Sequence, residues 1–239
     1  MNNIDKLQEL IDKSNNIVVF TGAGISVDSG LKDFRGKDGL YKEKNKYNFS
    51  PEYMLSSDCL YNNTKIFYEY YRDNMSSLDK EPNIAHNYLK KLEDKGKLKA
   101  VITQNIDGLH ERSGVKNVLT VHGTTYRNYC DKCGKEYPYD YIFSSKGIPY
   151  CDCGGLIRPD VTLYGESLPE CFMDAIRYIK QADLLIVVGT SLTVQPASNL
   201  VNYFNGDNMV IINNEETYYD YLASLIIREP IKEVFSKLK

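Results

Sequence analysis

A doubly wound α/β sheet carrying a smaller inserted module is the fold class predicted by this sequence of 239 residues. Three observations predict it. Short, wholly apolar runs recur between segments with helical spacing, as buried parallel strands do between crossover helices. The first run, Ile17-Val18-Val19-Phe20, passes straight into Gly22-Ala23-Gly24, a strand-to-turn junction that only small residues permit. Residues 124–158 then interrupt the alternation with paired cysteines, tyrosines and turn residues, and read as an insertion.

Taken in order, residues 3–14 place Ile4, Leu7, Leu10 and Ile11 at helical spacing. This start reads as an amphipathic helix and not as a secretory signal. Residues 15–20 form the first strand. The chain turns polar and aromatic through 38–50, and Pro51 opens a helix at its first turn. Residues 64–75 predict a helix whose stripe of Phe67, Tyr70 and Tyr71 reads as core or groove wall. A further helix runs from Pro82 to about Lys95 and stops at Gly96. Strands follow at 98–103 and 117–121. Residues 161–164 are extended, 169–181 helical, and 183–188 form the most continuously apolar strand. A helix near Val201, strands at 209–212 and 223–227, and a helix at 231–239 complete the series.

Composition narrows the class. Lys and Arg number 29 against 32 Asp and Glu, a net charge of −3, so no broad basic face is available and no direct nucleic-acid binding is expected. No apolar run approaches the ~18–20 residues of a membrane span. The cytoplasm is the expected location. Of the six cysteines, four stand in close pairs, Cys130/Cys133 and Cys151/Cys153. Four thiolates on two knuckles match a tetrahedral Zn²⁺ site with no open position, hence a structural one; reduced thiols or a redox pair are the alternatives. Cys59 and Cys171 read as small buried apolar residues.

Ligands of a doubly wound sheet gather beyond the carboxyl ends of its strands. Gly22-Ala23-Gly24, Gln104-Asn105-Ile106-Asp107, His122-Gly123, Gly189-Thr190-Ser191 and Asn213 all fall there. Amides, hydroxyls, a carboxylate and an imidazole around glycines suit a polar nucleotide. On the glycines alone, a tight turn with no ligand remains open, because Val27 stands where a dinucleotide fingerprint has its third glycine. His86 lies within a helix and reads as structural, and His110 as a capping or packing residue. His122, at a strand end, is a candidate proton acceptor.

In these residues the chain resembles the sirtuin family. GAGISVDSGLKDFRG, TQNIDGLH, His122-Gly123, the four-cysteine module, RPDVTLYGE, GTSLTVQPAS and IINNEET stand in the sirtuin order, from residue 21 to about 216. The resemblance implies a bacterial NAD-dependent protein-lysine deacylase. It implies a Rossmann-like NAD-binding domain from 1–36, 81–123 and 159–239, a helical insertion at 37–80 belonging to the small domain, and a zinc-binding module at 124–158. NAD is then the co-substrate and Zn²⁺ structural. Gly22, Ala23 and Gly24 would face the pyrophosphate, and Ser191 and Asn213 the adenosine ribose. Gln104, Asn105, Ile106 and Asp107 would line the nicotinamide-ribose side, with Asp107 on the carboxamide. Phe34 would cover the nicotinamide face and Arg35 sit by phosphate or ribose. Val27, Asp33, Gly189, Thr190 and Asn214 complete the expected cofactor set. His122 would be the general base and Asn105 the second catalytic residue. An acyl-lysine peptide would add as a strand between Thr162, Tyr164, Gly165 and Glu166 on one side and Val194 on the other.

Four departures stand out. Lys32 replaces a usual Pro, Val27 a common Thr and Thr162 a usual Val, and the Tyr-x-x-Arg pair of the desuccinylating branch is absent from FYEYYRDNM. A neutral acyl group is therefore expected. Two other activities share parts of this pattern, protein mono-ADP-ribosyl transfer and NAD-linked hydride transfer. The latter needs neither a closed zinc module nor the Asp33-Phe34-Arg35 loop.

Overall fold

The computed structural model describes residues 2–36, 39–41 and 47–239. Part of the 37–80 insertion expected from sequence therefore lies outside the described residues. Helix α1 (Asn3–Lys13) is closed at its start by a capping box between Asn2 and Asp5 and leads into β1 (Ile17–Thr21). Three short helices follow, α2 (Pro51–Met54), α3 (Ser57–Asn62) and α4 (Thr64–Asn74), then α5 (Ile84–Asp94) and β2 (Leu98–Thr103). After α6 (Leu109–Arg112) and β3 (Val118–Thr120) the chain enters β4 (Gly123–Cys130), β5 (Glu136–Tyr137), α7 (Asp140–Ser144) and β6 (Ile157–Val161). It returns through α8 (Cys171–Gln181), β7 (Leu184–Val188), β8 (Asn208–Ile212), β9 (Leu225–Ile227) and α9 (Ile231–Lys237).

The large sheet is wholly parallel, in the order β3-β2-β1-β7-β8-β9. Its central strands β1 and β7 are buried on both faces, which is why they read as nearly unbroken apolar runs. In β1, Ile17 and Val19 join a core with Leu7, Ile11, Leu89, Leu92 and Phe235 of α1, α5 and α9. Val18 and Phe20 point the other way, into a core with Ala175 and Ile179 of α8. A third core joins α2–α4 to the cysteine module through Met54, Leu60, Phe67, Tyr68, Tyr71, Ile142 and Ile157. The α4 aromatic stripe is thus core. No helix among the described residues is long and apolar enough to cross a membrane.

Two segments coil as 3-10 helices, Ala23–Ser29 after the first glycine turn and Ala197–Tyr203 where the sequence predicts a helix near Val201. Gly24, Ser26 and the β-branched Ile25 and Val27 are poor α-formers, and Gly30 ends the first segment in the left-handed region at φ +85°. The stretch 124–158 also holds more regular structure than its turns suggest. β4 pairs antiparallel with β5 and β6, and α7 packs on them. This small sheet starts at Gly123, with two residues between it and the β3 end, so the cysteine module hangs from the carboxyl end of the large sheet.

Candidate active site

Along the sheet, β1, β2 and β3 run outward in one direction and β7, β8 and β9 in the other. The order reverses between β1 and β7, and a crevice opens there beyond the carboxyl ends. Three glycines interlock across it. A Cβ on Gly22 would fall 2.6 Å from Thr190 Cβ, and one on Gly24 would fall 2.7 Å from Gly189 Cα. Gly189 itself has φ +61°, and its Cβ would meet Ile25 N at 2.5 Å. Gly22 and Gly24 donate their N–H groups to Val188 O at 3.1 Å and Gly189 O at 2.8 Å. These glycines are required first by the contact of two strand-end turns. That contact also explains why no third glycine is needed at Val27, whose side chain is exposed.

On the β2 side the polar groups form one network. Asp107 Oδ2 accepts from Ser26 Oγ at 2.7 Å, and Oδ1 accepts from Leu109 N at 2.9 Å. Asn105 Nδ2 donates to Ser26 Oγ at 3.1 Å. Burial pushes the Asp107 carboxyl up, opposed by the bonds from Leu109, Ser26 and Asn105. Gln104 Nε2 donates to Thr190 Oγ1 at 2.9 Å, tying the β2 end to the β7 end. Ile106 O accepts from both the N–H and the hydroxyl of Thr125 at 2.9 Å.

His122 follows β3, with Gly123 at φ +74° behind it; a Cβ there would lie 2.1 Å from Asp160 O. The ring Nδ1 lies 3.1 Å from Gln104 O. A carbonyl only accepts, so Nδ1 carries the proton and Nε2 keeps its lone pair. Burial lowers the pKa of the imidazole, partly offset by the Gln104 carbonyl. A neutral, oriented imidazole with Nε2 as acceptor is the state that general-base chemistry uses.

Beyond His122, Thr162 N donates to its carbonyl at 2.9 Å. Tyr164 pairs with the insertion, donating to Leu55 O at 2.9 Å and accepting from Ser57 N at 3.0 Å. Glu166 grips Arg158 with both oxygens, at 2.6 and 2.9 Å, and accepts from Leu163 N at 2.9 Å. Its carboxylate therefore shapes the 161–166 turn. In the loop after Gly30, Asp33 Oδ1 accepts from Gly36 N at 3.0 Å. Phe34 meets Tyr41 edge-on at 5.6 Å, and the Arg35 guanidinium lies 4.6 Å from the centre of the same ring. Ser191 Oγ pairs with Thr193 Oγ1 at 3.0 Å, and Val194 O accepts from Ser198 N at 2.9 Å. Asn213 Nδ2 donates to Glu215 O at 2.8 Å, whereas Asn214 is exposed.

The thiols of Cys130, Cys133, Cys151 and Cys153 lie within 4.8 Å of one another. The Cys130–Cys153 and Cys133–Cys151 sulfur separations are 3.5 and 3.7 Å. A disulfide needs about 2.05 Å, whereas Zn–S bonds of about 2.3 Å give tetrahedron edges near 3.8 Å. Each knuckle closes on a left-handed glycine, Gly134 at φ +72° and Gly154 at φ +78°. Four thiolates in this arrangement suit Zn²⁺ as a structural ion.

The family model described as Sir2 family matches residues 22–196. The chain belongs to the Sir2 family. An NAD-dependent protein deacetylase of Clostridium acetobutylicum is 46% identical over 237 residues, covering 98% of this chain and 97% of the relative. One from Staphylococcus aureus strain Mu50 is 44% identical over 239 residues, covering 99% and 98%. Among solved structures, a Sir2 complex with a deacetylated p53 peptide and 3'-O-acetyl-ADP-ribose superimposes with a TM-score of 0.90 at 38% identity, covering 98% of this chain and 96% of that one. A Sir2–p53 peptide–NAD⁺ complex gives 0.87 at 37% identity, covering 99% and 97%.

Within this Sir2-family chain, the sequence-expected residues of the β1, β2, β3 and β7 ends meet in one crevice. His86 and His110, read separately from sequence, meet each other with ring centres 4.8 Å apart, and His110 Nε2 bonds Thr21 Oγ1 at 3.0 Å. Sequence reading passed over Ser26, the hydroxyl that joins Asn105 to Asp107. Its signal was a lone polar residue between the apolar Ile25 and Val27. Thr125 and Ser77 gave no such signal, because both act through main-chain carbonyls of the 106–107 turn.

Proposed function

We infer that this chain is an NAD-dependent protein-lysine deacetylase, releasing nicotinamide, free lysine and an O-acyl-ADP-ribose. The observation that carries this reading is the His122 ring, held through Nδ1 by Gln104 O so that Nε2 is the acceptor, with Asn105 of the Asn105–Ser26–Asp107 network following Gln104 directly in the chain. The named activity of the relatives agrees with it. The crevice fits the co-substrate by its donor set: a carboxylate and amides at one end, and the small-residue β1–β7 junction and hydroxyls at the other.

NAD supplies the ribosyl acceptor for the acyl group and a leaving group that is already cationic. Asp107 holds the carboxamide, with its carboxylate aimed by Ser26 and Leu109 N–H. Asn105, tied to the same Ser26 hydroxyl, would serve the ribose. Gly22, Ala23, Gly24 and Arg35 serve the phosphates, with Val27, Gly189 and Thr190 packed around them. Ser191, Asn213 and Asn214 serve the adenosine. Asp33 shapes the loop that sets Phe34 over the nicotinamide side and excludes water. His122 Nε2 accepts a ribose hydroxyl proton as the acyl group transfers. Thr162 and Gly165 offer main chain to an acyl-lysine peptide opposite Val194. Tyr164, whose own N–H and C=O are spent on Leu55 and Ser57, offers its exposed ring, and Glu166 holds that segment in shape through Arg158. The three-part division at 36/37, 80/81, 123/124 and 158/159 separates these roles, although β4 and β6 bridge its last two boundaries. The enzyme works in the cytoplasm and binds no nucleic acid directly.

A neutral acyl group is the substrate. Arg72, the arginine of α4, is turned into the cysteine module, donating to Ile142 O and Ser145 Oγ at 2.8 Å. Tyr68 OH is likewise bonded to Ile157 O at 2.7 Å. Parallel assays of acetyl-lysine and succinyl-lysine peptides, with and without NAD, test the reading. Acetyl turnover should require NAD, release nicotinamide and exceed succinyl turnover at least about tenfold, the worth of one charged hydrogen bond. Equal rates, or reduced nicotinamide among the products, would refute it.

A further inference from the structure

We propose that Tyr139 and Ser77 are positioning residues for Asp107, through a one-way chain of hydroxyls from the cysteine module to the Asp107 main chain. The inference rests on the reading of Asp107 given above. Ser77 lies in the connection between α4 and α5 and is completely buried. Its Oγ is 2.9 Å from Asp107 O and 3.1 Å from Tyr139 OH, and its N–H reaches the same Tyr139 oxygen at 3.1 Å.

The proton directions follow from the inventory of donors. Asp107 O only accepts, so Ser77 Oγ spends its one proton there. The Tyr139 O–H is then the donor to Ser77 Oγ, and its oxygen accepts the Ser77 N–H. Both ends of the chain are anchored. The Tyr139 ring stacks on Tyr126 at 4.2 Å, with 4° between planes. Asn128 Nδ2, on β4, holds Pro138 O at 2.8 Å, beside Tyr139. Arg112 Nη1 reaches Ser77 O at 3.4 Å.

Tyr126 completes the grip from the other side. Gly108, next to Asp107, has φ +68°, and a Cβ there would lie 2.3 Å from the Tyr126 ring. The Asp107–Gly108 turn is thus held between a buried hydroxyl and an aromatic face, both supplied or braced by residues outside the large sheet. The Asp107 carboxylate sits on a main chain whose orientation the cysteine module sets. Without the Ser77 bond the peptide plane after Asp107 is free to tilt, and the carboxylate shifts with it.

Tyr139→Phe tests this, because it keeps the stacked ring and removes both hydroxyl bonds. KM for NAD, KM for acetyl-lysine peptide, the nicotinamide inhibition constant and zinc per chain are measured beside wild type. The expected result is a rise of about 3- to 10-fold in the NAD KM and in the nicotinamide inhibition constant. Peptide KM and zinc content should stay at wild-type values. Ser77→Ala should do the same, and Ser77→Ala/Tyr139→Phe no more than the larger single effect. If Ser77→Ala does not fold, Tyr139→Phe decides alone. A zinc-loaded Tyr139→Phe enzyme with unchanged NAD and nicotinamide constants overturns the proposal, as does an equal rise in peptide KM. Lack of NAD-dependent deacetylation in wild type would instead overturn the reading of the site.

Discussion

At the scale of single residues, tautomer and burial decide what each histidine does. His122 and His86 both have a lowered pKa, yet their partners differ. The Gln104 carbonyl makes His122 Nδ1 a donor. At His86, Asn83 N–H donates to Nδ1 at 3.3 Å and completes the capping box of α5, so this nitrogen must stay unprotonated. Burial brings the His86 pKa down to about 4, and burial with the neighbouring His86 charge brings His110 well below its ordinary value. In the unfolded chain both titrate near 6.5. As pH falls below that value the unfolded state takes up protons that the folded state refuses, so stability is lost from about pH 6.5 down towards 4. For His86 the loss amounts to roughly 3 kcal/mol. Urea midpoints should fall between pH 7.5 and 4.5, and His86→Gln should show a shallower fall. Identical slopes in the two proteins would remove His86 from this account.

At the scale of elements, β4 is the member that connects metal to chemistry. It starts at Gly123 beside His122 and ends at Cys130. Thr125 caps Ile106 O from it, and Tyr126 packs on Gly108. The four-cysteine zinc site holds the far end of this strand through Cys130. Cys153→Ser should therefore lower both bound zinc and deacetylation, although Cys153 has no chemical role. Metal analysis and turnover on the same samples check this; full turnover in a zinc-free variant would contradict it. The central strands were legible in the sequence because β1 and β7 are buried on both faces. The 3-10 segments were not, since their start and stop residues resemble those of α-helices. Neither was α7, whose five residues lie too close to turns for a period to show.

At the scale of the whole molecule, strand order makes the site. The reversal between β1 and β7 brings the 22–24, 104–107 and 189–191 turns together, and β3 adds His122. Those positions were readable because each follows an apolar run. The pairings between them were not, because Ser26 with Asp107, Gln104 with Thr190 and His86 with His110 join residues far apart in the chain. The same distance hid the glycine–glycine contact, which accounts for Gly22 and Gly24 before any phosphate is considered. The most direct test of the account is turnover of an acetyl-lysine peptide with NAD by wild type and His122→Ala across pH. Wild type should lose activity as pH falls through the lowered pKa of His122, below 6.5, and the variant should be slower by about 10²–10⁴-fold. Wild-type rates in the variant, or turnover that does not need NAD, would contradict it.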